Sequence, residues 1–410
     1  IGAASLITGF RWISGKTRLA RDMALHCVLI FASLPDLTNH EVYLILIYGL
    51  GLWGYFKNRR NPLLILRQFL PLLLSWMYLW AAFHKINSDF LFSPGSCAAS
   101  MSFRIFNWLP TGPMVTTVAV LVIAVELILG ISVLIPRLRG LFILLAFLFH
   151  SLLLLSDVAP FTAVLYPLLV ILLPTAVLQK WLKSSAKRDL FIYTAFTMIS
   201  LLLFEILLGH FAFGQIALLR QVPFFFGALP AAWSIFALLR EIKWTAPPED
   251  CGISKNTIYV MSILFSVFLF FWGGQTYIGL RSNGVFDMYS NVATASGRQN
   301  HLIAPHFLSD LFPYQDDLVR AQFITPPKHW KLRRLQNAWV PRVTLMNLTE
   351  RYYSVEGPIS ARLQTAGGEL FTQDIAKEQS PLWRDLGYKI TPYTQYILDN
   401  RPVSTGRCEW

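Results

Sequence analysis

Apolar residues in this chain arrive in blocks of about 17 to 25, the length at which a helix spans the hydrocarbon core of a bilayer. Lipid offers the backbone no hydrogen-bond partner, so such blocks fold as helices. Hydrophobic residues make up 54% of the chain and charged residues only 14%, against about 25% charged in a soluble domain. The pattern predicts spans near 20–35, 41–56, 63–85, 114–135, 138–156, 160–179, 190–210, 222–239 and 257–277. The expected architecture is therefore an all-α polytopic membrane bundle of about nine transmembrane helices over residues 1–277. A small extracytoplasmic α+β C-terminal domain over 278–410 follows it. In that tail Arg342–Leu348 and Tyr352–Val355 alternate like strands, and Ala366-Gly367-Gly368 marks a turn.

The net charge of +12 is not a nucleic-acid signal. Residues 1–277 carry 20 Lys+Arg and 11 Asp+Glu, whereas 278–410 carry 15 and 12. The excess lies in loops between spans. Alternate loops hold Arg11, Lys16, Arg18, Arg21, then Lys57, Arg59, Arg60, then Arg137, Arg139, then Lys180, Lys183, Lys187, Arg188, then Arg240, Lys243, Lys255. The intervening loops hold only Lys85, Arg104 and Arg220. Basic loops stay on the cytoplasmic side. The N-terminus is thus expected in the cytoplasm, and the tail, His40 and Lys85 on the periplasmic or luminal side. Cys97 and Cys408 then share the oxidising side, where a disulfide between them would staple the tail to the third loop. The other reading is two separate thiols. Cys27 reads as a core residue, and no cysteine–histidine spacing suggests a metal. The outer loop from Asn87 to Pro113 is long enough to be a lid or binding loop.

Polar residues within the blocks need partners or a purpose. They are His40, Glu126, His150 and Glu205, with Lys85 closing the third block in AAFHKINSDF. A lysine at a span end ordinarily snorkels to the interface. Walled from water instead, it can give up its proton and act as a base. A lone His150 or Glu126 ordinarily reads as a satisfied core group.

Together these segments resemble a known family. Asn39-His40 followed by VYLILIYGLGLW resembles the Asn-His-x-Tyr-Leu segment of the vitamin K-dependent gamma-glutamyl carboxylases. AAFHKINSDF resembles their Ala-Gly-x-Lys-Lys-Leu-Asp-x-Asp-Trp segment, with Lys85 on the second lysine and His84 in place of the first. FHSLLLLSDVAPFTAVLYPLL resembles a further segment, with His150 on its histidine, and Glu126 stands near a family acidic residue. YIGLRSNGVFDMYSN (277–291) is similar to the stretch after the last span in bacterial members of the wider horizontally transferred transmembrane domain family. The resemblance is carried mainly by residues 20–180.

It implies an integral membrane enzyme that uses a reduced quinone of the vitamin K hydroquinone type, O2 and CO2 to modify glutamate in a secreted peptide or protein. Lys85 would be the base that deprotonates the hydroquinone, and His40 would serve the carboxylation half. Asn39, His84, Glu126 and His150 would contact substrate or quinone. Two departures favour another reading: the tail is shorter than the family's luminal region, and His84 replaces a lysine. That alternative is a non-catalytic membrane subunit, or a maturation or immunity protein for an exported peptide. It would bind membrane lipid or quinone and a protein partner. The orientation is checked directly: a cysteine placed at Gly367 should react with an impermeant thiol reagent from the outer face only, and labelling only from the cytoplasm would invert the topology.

Overall fold

The fold is taken from a computed structural model. It describes residues 39–57, 63–106, 108–153, 159–174, 253–280, 285–287, 289–292, 299–304, 317–333, 335–337, 339–365 and 368–372, with isolated positions between 232 and 242. The first, seventh and most of the eighth predicted spans lie outside these residues. Among the described residues, four helical stretches are long and apolar enough to cross a membrane: Leu64–His84, Pro113–Ser132, Pro136–Leu153 and Lys255–Ile278.

The helices are α1 (Asn39–Lys57), α2 (Leu63–His84), the short α3 (Ser88–Phe92) and α4 (Cys97–Phe106), α5 (Pro113–Ser132), α6 (Arg139–Leu153), α7 (Ala159–Ile171) and α8 (Lys255–Gly274). The segment from Asn87 to Pro113 is therefore not an open loop. It contains two helices, and Phe90, Leu91, Cys97, Ala98 and Met101 are buried in them. Asn87 starts the first by accepting from the Phe90 N–H at 2.8 Å. Gly112 sits at φ +52° just before α5, a left-handed conformation that a side chain would strain, and Pro113 then opens the helix.

Helix α2 is the hub, packing against α1, α5, α7 and α8. Its Leu66, Phe69, Leu70, Leu73, Leu74, Met77 and Tyr78 are almost wholly enclosed. Helix α5 shows why it docks where it does. Val115, Ala119, Ile123, Glu126, Leu129 and Gly130 are buried, spaced as one helical stripe. Val120, Leu121, Leu127, Ile128 and Ile131 stay exposed, as apolar side chains facing lipid would be. Gly130 lets the two helices close, because a Cβ there would press on Leu79.

The tail folds around an antiparallel sheet of order β2-β1-β3-β4. The strands are β1 (Leu318–Phe323), β2 (Trp339–Pro341), β3 (Ala361–Thr365) and β4 (Gly368–Thr372). Thr365 faces Gly368 across the hairpin, placing the connection where the Ala-Gly-Gly run predicts it. On β1, Val319, Ala321 and Phe323 point inward and Arg320 and Gln322 outward. Arg342 binds Asp317 at 2.9 Å. The strand expectations for Arg342–Leu348 and Tyr352–Val355 are corrected: Arg342–Arg351 and Tyr353–Glu356 are helices. Val343 and Leu345 alternate in the sequence as a strand would, but Thr344 and Met346 are buried as well. Four enclosed residues in a row leave no period of two. Thr349 donates to the carbonyls of Leu345 and Met346, as a buried helical threonine does.

The approach of α8 to α2 hinges on Gly273, where a methyl group would overlap the Trp80 indole. Gly273→Ala should lower stability by about 1–3 kcal/mol through this overpacking, although alanine is the better helix former by about 1 kcal/mol. Thermal unfolding in detergent measures the difference.

Candidate functional site

Lys85 follows the last residue of α2, where its N–H bonds to Ala82 O at 3.1 Å. Its side chain does not run outward. Nζ turns back to donate to Ala81 O at 3.2 Å and to Glu126 Oε1 at 3.0 Å. Both residues are about 95% buried, at 4% and 5% exposure. The Lys85 amine also lies 5.8 Å from the Phe90 ring centre. Glu126 comes from the buried stripe of α5, so the ion pair bridges α2 and α5 where they pack. Its second oxygen, Oε2, is buried without a hydrogen-bond partner. Taking two charges from water costs several kcal/mol each unless they satisfy one another.

One α2 face carries Tyr78, Ala81 and Lys85, at helical spacing. Because Lys85 Nζ reaches back to Ala81 O, the amine sits about one turn, roughly 5 Å, beyond Tyr78 along the axis. The Tyr78 hydroxyl lies 2.9 Å from His150 Nε2 on α6, and both groups are buried. His150 Nδ1 has no partner. On α1, Tyr43 is 2% exposed and its hydroxyl also lacks a partner. Its ring stacks on Phe286, with centroids 5.1 Å apart and planes 7° from parallel. Phe161 on α7 then bridges Tyr43 and His150, at 5.7 Å and 5.1 Å. Contacts thus link α1, α2, α6, α7 and the segment after α8 around Tyr43, Phe161 and His150.

The sequence-derived residues divide clearly. Lys85 pairs with Glu126, and His150 bonds to Tyr78 on the same α2 face. His84 faces another way: Nδ1 lies 2.8 Å from the Tyr277 hydroxyl and Nε2 3.0 Å from Val285 O. Only a carbonyl-facing N–H suits Nε2, so Nδ1 accepts from Tyr277. Both ring nitrogens are committed, which makes His84 a tie within the protein rather than a group open to a ligand. Asn39 and His40 open α1, but their side chains lie outside the described residues. Cys97 is buried at the start of α4, and Cys408 lies outside the described residues. Among the described residues no cluster of His, Cys, Asp or Glu could hold a metal.

The described residues between 285 and 304 are what sequence reasoning undervalued. Several of them meet the end of α2. His301 Nε2 donates to Phe83 O at 2.8 Å, and Nδ1 accepts from the N–H groups of Ile303 and Ala304. Asn87 donates to His84 O and Ser290 O, at 2.7 Å and 2.6 Å. Ser88 N–H binds Asn300 O, and Leu302 N–H binds Ile86 O. The backbone on both sides of Lys85 is thereby fixed. Tyr43 was also missed, a tyrosine among apolar residues with nothing in its sequence to mark it.

The chain matches no protein-family model, no curated protein and no solved structure.

Removing one member of the buried pair strands the other. Lys85→Met or Glu126→Leu alone should cost about 3–5 kcal/mol, while the double variant should recover most of that loss. Melting of the four proteins closes the cycle, and additive losses would mean that the pair does not couple. A second outcome concerns pH. Burial holds the His301 imidazole below its ordinary 6.5, against a smaller upward pull from Phe83 O. A proton on Nδ1 would also cancel two acceptor bonds. The unfolded chain therefore binds that proton more readily. The stability contributed here is complete above about pH 6.5 and declines as pH falls below it toward the folded-state value. Replacing His301 with Phe should flatten this acid slope in melting temperature.

Proposed function

We propose that the chain is a carboxylase-like integral membrane enzyme. It would use a reduced quinone of the vitamin K hydroquinone type, O2 and CO2 to modify glutamate in a secreted peptide or protein. The observation that carries this reading is the enclosed Lys85–Glu126 pair, beside three buried polar atoms that lack partners. Native interiors rarely leave such atoms unpaired, and those that persist call for an explanation. A flat aromatic ligand bearing oxygens supplies one. The residues present fit that group: aromatic walls from Tyr43, Phe161 and Phe286, and polar atoms from Glu126, His150 and Tyr43.

The chain's own part is proton handling. Lys85 and Glu126 hold one exchangeable proton between them. With that proton on the carboxylate, Lys85 Nζ has a free lone pair and can accept a phenolic proton. The pair then carries one positive charge opposite the resulting anion, so the site stays neutral overall. When bound, a reduced quinone supplies, with oxygen, a base strong enough to remove a glutamate γ-proton. Exclusion of water protects such chemistry, and the packed ends of α2 and α5 provide it. His40 would serve CO2 addition and Asn39 its orientation. The nine-span topology, the outward tail and the Cys97–Cys408 bridge belong to the same proposal.

A second reading rests on the same pair. An ion pair that joins two membrane helices can be purely structural, and both nitrogens of His84 are spent on such ties. The chain would then be a non-catalytic subunit, or a maturation or immunity protein, that holds lipid or quinone and a protein partner.

Purified protein incubated with reduced naphthoquinone, O2, labelled bicarbonate and a glutamate-rich peptide distinguishes the two. The enzyme reading expects label in the peptide and a loss of about 100- to 10,000-fold in Lys85→Ala. Lys85→Arg should not restore it, because guanidinium keeps its proton. Absence of label from wild type, or equal label in Lys85→Ala, would support the second reading.

A further inference from the structure

The Tyr43 hydroxyl is the most telling feature that the reading above leaves unused. Tyr43 is 2% exposed, and its hydroxyl bonds to nothing among the described residues. Its ring is stacked flat on Phe286 and edge-on to Phe161. A tyrosine whose ring is clamped cannot swing its hydroxyl to a new partner at little cost. A buried hydroxyl without a hydrogen bond destabilises the fold. Phenylalanine would fill the same space without that cost.

The neighbouring His150 adds a direction. Tyr78 O–H and His150 Nε2 are 2.9 Å apart, and neither side chain has another hydrogen bond among the described residues. If Nε2 donated, the Tyr78 proton and the Nδ1 lone pair would both be stranded. If Tyr78 donates, only one group is left over, and that group is Nδ1–H. The second arrangement leaves fewer buried groups unsatisfied. His150 then offers a donor, as Tyr43 does, while Glu126 Oε2 offers an acceptor. Two donors and one acceptor in an aromatic enclosure complement a ring that carries oxygens.

We propose that Tyr43 is a ligand-binding residue. Its hydroxyl and the His150 Nδ1–H donate to oxygen of a quinone-class ring, and Glu126 Oε2 accepts from a hydroxyl of the ring's reduced form. This inference rests on the quinone part of the proposed function and assigns that site a recognition residue from α1. It also explains the geometry of Phe286, which fixes the Tyr43 ring from the segment after α8.

The test measures binding, not turnover. Wild type and Tyr43→Phe in detergent are titrated with 2-methyl-1,4-naphthoquinone, following quenching of tryptophan fluorescence. Melting of the ligand-free proteins is measured in parallel. Tyr43→Phe should bind about tenfold more weakly, as expected for one lost hydrogen bond to a ligand. Its ligand-free melting temperature should hold or rise, because an unpartnered buried hydroxyl has gone. A merely structural tyrosine would give the reverse, with lower melting and unchanged affinity. That result overturns the inference while leaving the proposed function in place. Failure of wild type to bind the naphthoquinone at all overturns both. Tenfold weaker binding in Tyr43→Phe, with no carboxylation by wild type, upholds the site and removes only the enzyme reading.

Discussion

A single amine set against a single carboxylate organises the described membrane region. Lys85 and Glu126 meet at 3.0 Å in surroundings that hydrate neither. Neither residue tolerates the absence of the other, and that mutual need fixes the registry of α2 against α5. Apolar side chains alone would allow the helices to slide, since lipid is as apolar as leucine. The small residues Ala119 and Gly130 in the α5 stripe let the backbones close, and the ion pair sets where along the stripe they do so. Packing supplies contact and the polar pair supplies position.

That position is held a second time from outside. The chain after α8 reaches the end of α2, where His301 satisfies the Phe83 carbonyl, and Asn87, just past the helix, satisfies that of His84. A helix end leaves several carbonyls without intrahelical partners, and a buried end needs replacements. His84 and Tyr277 tie the two helix ends side by side, with Trp80 stacked on His84 at 5.3 Å. The outcome is a lysine whose backbone cannot rotate the amine out toward the interface. Snorkelling was the ordinary expectation for Lys85, and this fold-back is the physical reason that the chain departs from it.

Much of this was legible in the sequence, and the limits have physical causes. Block length and composition showed the apolar helices, because span length is set by the bilayer. Lys85, Glu126 and His150 stood out as polar residues in apolar surroundings. Glu126 and Lys85 could not be paired from sequence alone, since 41 residues separate them and no local period links the two. The helix at Arg342–Arg351 was hidden because Val343 and Leu345 alternate with polar neighbours in the sequence, and the burial of Thr344 between them leaves no mark there. His84 looked chemical beside Lys85, yet successive residues at a helix end point in different directions, and it was turned toward Tyr277. Tyr43 gave no signal at all. A tyrosine among apolar residues is unremarkable until its hydroxyl is seen to lack a partner.

The polar atoms around the site separate structural need from chemical need. His84, Asn87 and His301 are polar, buried and saturated with hydrogen bonds to the protein itself. Such groups stabilise one conformation and have nothing left to offer. Glu126 Oε2, His150 Nδ1 and the Tyr43 hydroxyl are equally buried and are not saturated. Glu126 and His150 each spend one polar atom on the fold and leave one over, whereas folding alone gives no reason for the Tyr43 hydroxyl, since phenylalanine would fill the space at lower cost. The contrast appears within one small region and between residues of the same type, for His84 and His150 differ only in what their nitrogens meet. The two sets are therefore distinguishable residue by residue: the saturated set holds Lys85 in place, and the unsaturated set is what the proposed ligand would meet.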